Sequence, residues 1–146
     1  LVPLWGPKTI GADGALVYNP SWEFTGGGLV STSADLAFFM KMLFEGRIVG
    51  AAGLAEMREG WPMEMGALLN HRYGLGVQMF DSALGRVIGH SGQFAGYRSL
   101  AFYFQDNGTA MAMQTNADVE GLMPTFMRLA AFAHGRASAA APLGSS

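Results

Sequence analysis

Cysteine is absent from this chain of 146 residues, which removes disulfides, thiolate metal ligands and a cysteine nucleophile together. Charge is scarce too. Only 14% of the residues are Asp, Glu, Lys or Arg, against roughly 25% in an ordinary soluble domain. The net charge is −2, and the two lysines and seven arginines are scattered. No basic patch suited to nucleic acid or to an anionic membrane results. No window approaches the roughly 18 uninterrupted apolar residues of a membrane span. The histidines His71, His90 and His134 lack the spacing of a metal pair and have no acidic cluster beside them, so no metal and no other cofactor is expected.

Apolar residues make up 50% of the chain, with ten methionines and ten phenylalanines. So much apolar character with so little charge implies surface that something else covers. The chain also opens on Leu1-Val2-Pro3 with neither a methionine nor the layout of a signal peptide. Both features lead to the expectation of a C-terminal part of a longer protein, whose missing N-terminal half is its first partner. Compartment stays open.

Residues 1–28 read as irregular chain ending in Gly26-Gly27-Gly28. A helix follows, with Thr32 or Ser33 as N-cap, Asp35 in the first turn and Gly46 as terminator. Leu36, Phe39, Met40 and Leu43 form one apolar face; Phe38, Met42 and Phe44 widen it, as in a helix buried on more than one side. A short helix is expected near Ala52–Arg58. From Tyr73 the period becomes two. Tyr73, Leu75, Val77 and Met79 predict one strand, "RVIGH" a short second, "YRSLAFYF" and "TAMAMQT" a third and fourth. Asn107-Gly108 predicts a type I′ turn between the last two, and the short connections demand antiparallel pairing. A last helix is capped by Asn116 or Asp118, holds Pro124 in its first turn, and presents Val119, Leu122, Phe126, Leu129 and Ala133 to the sheet. The fold class is therefore α+β, an antiparallel sheet packed with helices, over residues 1–135, with 136–146 a tail expected to be disordered.

The triple glycine lacks the Lys-Ser/Thr of a phosphate loop and reads as a turn. His71 falls in a loop and His134 closes the last helix. "GHSGQFAGYRSL", Gly89 to Leu100, is more informative. Adjacent side chains on a strand point to opposite faces, so His90 and Ser91 make a poor nucleophile–base pair, and no Gly-x-Ser-x-Gly elbow exists. A strand edge has another use: its N–H groups can bind an extended substrate or an oxyanion, and Gly92 permits close approach. His90-Ser91-Gly92 then lines a groove without supplying the nucleophile.

"GGGLVSTSADLAFFMKMLFEGRIV", "YGLGV", "GHSGQFAGYRS" and "QTNA", in that order between about Pro20 and Asn116, resemble the C-terminal half of the serine β-lactamase-related family. That family spans class C β-lactamases, D-alanyl-D-alanine carboxypeptidases, D-amino-acid peptidases and esterases. The resemblance implies a β-lactamase/transpeptidase-like fold and an acyl-enzyme site of three motifs: Ser-x-x-Lys, Tyr-x-Asn, and Lys-Thr-Gly or His-Ser/Thr-Gly. It implies that His90 stabilises charge around the motif-two tyrosine and the substrate carboxylate. Ser91 would bind that carboxylate, Gly92 would admit the substrate, and the N–H of Gln93 would be one oxyanion donor. It also implies an extracytoplasmic location, and histidine in motif three favours peptidase and esterase branches over antibiotic hydrolysis. A histidine there would make activity sensitive to pH near neutrality.

Two motifs are missing. Trp5 and Phe38 stand three residues before Lys8 and Lys41, where the nucleophilic serine belongs, and no tyrosine has asparagine two residues on. These residues alone should not turn over a small acyl or peptide substrate. The first reading is an incomplete serine hydrolase of amide or ester bonds. Alternatives are a non-catalytic module that recognises a peptide or carboxylate at its strand edge, and a structural domain with a decayed site.

Overall fold

A computed structural model describes residues 9–63, 68–94, 96–117 and 121–135. Ten elements follow in order: a 3-10 turn at Pro20–Glu23, helices α1 (Ser33–Phe44) and α2 (Ala51–Arg58), six strands, and helix α3 (Leu122–Ala133). The strands are β1 (Trp61–Pro62), β2 (Leu69–Tyr73), β3 (Gln78–Ser82), β4 (Gly85–Phe94), β5 (Tyr97–Phe104) and β6 (Thr109–Thr115). Each pairs antiparallel with its sequence neighbours, giving the order β1 to β6 across one sheet. This is the expected α+β architecture.

Strand alternation sends the core to both faces. On one face Phe80, Val87, Phe102 and Phe104 pack against Phe126 and Ala130 of α3. On the other, Ile88, Ala101 and Tyr103 meet Met40, Leu43 and Phe44 of α1 and Leu54 of α2. Phe102, Phe104 and Phe126 are fully buried and meet edge-on or stacked, with centroids 5.7 and 6.3 Å apart, inside the range of favourable ring pairs. The helix-facing surface beyond α1 is less complete. Phe38 is 62% exposed and Phe39 46%, so within these residues α1 buries one side only.

Helix α1 begins as its sequence requires. The Thr32 hydroxyl accepts from the Asp35 N–H at 3.1 Å and donates to the Asp35 carboxylate at 2.8 Å. Gly46 lies past its end at φ +78°. Glu45 lies 2.7 Å from Lys41 and holds that ammonium above its ordinary pKa, mainly through the hydrogen bond between them.

Several expectations are corrected. Tyr73 to Met79 is not one strand: β2 ends at Tyr73, the Gly74 N–H bonds the Val77 carbonyl at 2.8 Å, Gly76 takes positive φ, and β3 starts at Gln78. Val77 is buried but Leu75 is 61% exposed, because the chain turns between them. His71 lies in β2, not in a loop, and is buried against Phe80. "RVIGH" is only part of the ten-residue β4. The β5–β6 connection is a four-residue turn in which Gly108 alone takes positive φ, not a type I′ turn through Asn107; the Asn107 carboxamide instead accepts from the Thr109 N–H at 3.0 Å. Helix α3 is preceded by Gly121 in the left-handed region, not capped by Asn116. Asp118 and Val119 lie outside the described residues, as does the tail 136–146. Leu129 is half exposed, and Ala130 and Ala131 take the buried positions instead.

Candidate functional site

The site grows out of a mismatch in strand length. β4 has ten residues but β3 only five, and their ladder runs from Ser82↔Gly85 to Gln78↔Gly89. Beyond Gly89, residues His90 to Phe94 are paired only with β5, through Ala101 to Tyr97. Among the described residues the other edge of this half-strand has no ladder partner.

Which groups face that edge follows from the ladder. The Gln105 N–H bonds the Arg86 carbonyl at 2.9 Å, so Arg86 turns its backbone toward β5. In an antiparallel pair the direction alternates residue by residue, and the β4–β5 register is unbroken from Val87 to Phe94. His90, Gly92 and Phe94 therefore bond to β5. Ser91 and Gln93 turn their N–H and C=O groups to the open edge. Gln93 is exposed, and by this alternation its N–H faces the open edge. Of the groups the sequence singled out, this one the geometry presents most directly.

His90 folds over the same edge. Its Nδ1 lies 2.5 Å from the Ser91 carbonyl oxygen, which can only accept, so Nδ1 carries a proton. In the neutral imidazole Nε2 is then an acceptor, and the Tyr73 hydroxyl donates to it at 2.8 Å. The phenol and imidazole rings meet edge-on, 5.6 Å apart. Ser91 is engaged elsewhere: its hydroxyl donates to the Gln78 side-chain oxygen at 3.3 Å. Thus His90, Ser91 and Gln93 gather at one edge, with the hydroxyl of Ser91 committed to β3. Gly92 faces Ser99 across the ladder, and a Cβ there would collide with the Ser99 hydroxyl. Tyr73 escaped the sequence reading. Treating 73–79 as one strand carries its hydroxyl away from His90, and only the turn at 74–77 brings them together.

A groove of about 690 Å³ opens beside Gly92 and Gln93. Ser99 and Gln114 line it from β5 and β6, and Gly26 to Ser31 wall it opposite. Ser33 at the head of α1 donates to Gln114 at 3.0 Å, tying that wall to the sheet. At the groove's end Phe94 meets Tyr18 edge-on at 5.4 Å and Trp22 at 6.4 Å. Desolvation first, then nearby Tyr97 and Glu23, push the Tyr18 phenol above its ordinary pKa, so it stays neutral at physiological pH. The groove is aromatic at that end, with Glu23 and Arg98 also in its lining. His90 itself lies outside it. Among the described residues no group of three or more His, Asp or Glu could hold a metal ion, and no helix is long and apolar enough to cross a membrane.

Among solved structures the chain is similar to the D-stereospecific amidohydrolase from Streptomyces sp., at 35% identity and TM-score 0.55, over 60% of this chain and 26% of that one. It is similar to the D-amino acid amidase from Ochrobactrum anthropi SV3 complexed with L-phenylalanine, at 26% identity and TM-score 0.62, over 73% and 32%. The octameric penicillin-binding protein homologue from Pyrococcus abyssi shares the fold at 23% identity and TM-score 0.64, over 87% and 30%. The chain thus spans about a quarter to a third of these proteins' lengths. The Beta-lactamase family profile matches residues 3–134, nearly the whole chain, and the chain belongs to the β-lactamase family of serine hydrolase folds.

Proposed function

We propose that this chain supplies the substrate-binding sheet edge of a serine acyl hydrolase that cleaves amide bonds, its nucleophilic serine and base lying in a further part of the same protein. The observation that carries the reading is the one-sided pairing of His90–Phe94, which leaves the Gln93 N–H directed into an open edge beside a groove. The similarity to amide hydrolases of D-amino acids supports an amide substrate over a β-lactam. The aromatic end of the groove suits an apolar or aromatic side chain.

In acyl transfer, a serine hydroxyl passes its proton to the site's base as its oxygen bonds the carbonyl carbon and the C=O π pair moves onto oxygen; that pair then re-forms the carbonyl as the C–N bond breaks. The amine then leaves with a proton delivered by the site's acid, and water later releases the acyl group. A donor aimed at that oxyanion is worth roughly 10²- to 10³-fold in turnover, and Gln93 takes this role. His90 sets the charge and hydrogen bonding at the edge, and Gly92 lets the substrate backbone lie close. The Ser91 hydroxyl takes the substrate's terminal carboxylate or carboxamide once it releases Gln78. The exposed Phe38 and Phe39 are covered by the chain's N-terminal partner segment.

One fact favours a second reading: no Ser-x-x-Lys occurs in these 146 residues, as suits a binding module without chemistry. Both are tested on the complete open reading frame that contains this chain. Fluorescent penicillin labelling and hydrolysis of D-amino-acid p-nitroanilides and p-nitrophenyl esters are compared between wild type and His90→Ala. Turnover that falls on the order of 100-fold in the variant supports the hydrolase. No labelling and no turnover in wild type leaves the binding module.

A further inference from the structure

Tyr73 stands apart from the residues just assigned, since nothing in the acyl-transfer scheme requires it. Its hydroxyl nevertheless makes a 2.8 Å hydrogen bond to His90, across 17 residues of sequence and from the end of a different strand. The partners of the imidazole complete the geometry. Nδ1–H is spent on the Ser91 carbonyl, one of the backbone groups that alternation directs into the open edge. Nε2 is spent on the phenol.

We infer that Tyr73 is a positioning residue: it clamps the His90 imidazole over the open edge of β4, fixes it as the Nδ1–H tautomer, and so makes Gln93 the first rung free to pair with a substrate. Three consequences follow from the donors and acceptors. The Ser91 carbonyl is capped by imidazole, so an extended ligand cannot bond it. Among the described residues the Gln93 N–H and C=O have no ladder partner, so the amide to be cleaved registers there and not two residues earlier. When His90 takes up a proton, Nε2 becomes a donor and the phenol must turn its own O–H outward, toward an acceptor on the ligand. The side chain that meets ligand in that state is Tyr73, with His90 behind it.

The role is built from local structure. Gly74 bonds back to Val77 and β3 starts only at Gln78, so no strand residue separates the end of β2 from His90. A continuous strand from 73 to 79 would have carried the phenol away. Hydrogen-bond partners that orient metal-bound histidines are worth on the order of 10- to 100-fold in activity, and a loss of that order is expected here.

The inference rests on the proposed acyl-transfer reading for its catalytic consequence but not for the clamp itself, and the test separates the two. The complete protein is labelled with 15N, and the His90 nitrogens are assigned by comparison with His90→Gln. Wild type should show a protonated Nδ1 and an Nε2 shifted as an acceptor. Tyr73→Phe keeps the ring and removes only the O–H. It should move the Nε2 signal toward the unbonded imine position and let the Nε2–H tautomer appear. For p-nitrophenyl ester hydrolysis it should lower kcat about 10- to 100-fold, with KM changing far less. An unchanged His90 spectrum in Tyr73→Phe overturns the clamp, whatever activity does. A changed spectrum with unchanged kcat overturns the positioning role. A changed spectrum in a protein with no turnover upholds the clamp and sinks the hydrolase reading instead.

Discussion

The two halves of β4 are one continuous strand put to different uses. From Val87 to Gly89 it is paired on both sides and buried. From His90 to Phe94 it is paired on one side, and none of its residues is fully buried. Nothing in backbone conformation separates the halves. The difference is where β3 stops. Stability is concentrated where each backbone group has a partner and apolar side chains fill both faces. Further along, among the described residues, the same strand leaves alternate N–H groups without a ladder partner. The rigid half aims the open half.

Substitutions can break this division. Phe102 lies opposite Gly89 in the doubly paired half and is fully buried. Phe102→Ala should cost about 3–5 kcal/mol of stability, read as a lower urea midpoint; a loss below about 1 kcal/mol would mean that this face is not the core. Gln93→Pro removes one N–H from the singly paired half. It should lower turnover of the complete protein by about 10²- to 10³-fold while the thermal midpoint stays near wild type, because that N–H has no ladder partner. A large loss of stability would instead put the Gln93 N–H in the β5 ladder and end its candidacy. Thr32→Ala, at the head of the helix beside the groove, should cost about 1 kcal/mol through the lost cap, measured by thermal unfolding. Leu75→Ser, in the exposed turn that ends β3's reach, should stay within about 0.5 kcal/mol. If it destabilises by more, the turn is packed and the open edge is not set by it.

Much of the scaffold was legible. "YRSLAFYF" and "TAMAMQT" match β5 and β6 to the residue, because each is a short continuous apolar run, as in a strand covered on both faces, with turn residues at its ends. The start of α1 was legible to within one residue, as Thr32 or Ser33, because both can cap and Asp35 suits the first turn; the structure selects Thr32. The α3 cap was missed because Gly121 acts through backbone conformation and donates no side-chain bond. Leu129 was misplaced because helix periodicity leaves the exact position of a face open, and small alanines can win the contact with Phe126. Of the candidate site residues, His90, Ser91 and Gly92 stood out by their types and order, and Gln93 only through the family resemblance. Their edge did not, since it depends on how far the neighbouring strand extends. Tyr73 was hidden for the same reason: reading through Gly74 and Gly76 turned a corner into a straight line.

Gly89 has a consequence for specificity as well as packing. A Cβ at this position would run into the Ala101 carbonyl oxygen and the Phe102 backbone, so only a bare backbone fits at the boundary between the two halves. If β4 slipped by one residue along β5, the imidazole of His90 would be driven into that space or Ile88 would be. The glycine thus works as a keyway. It admits one alignment of the strand, and in that alignment alone the histidine hangs over the edge with the phenol in reach.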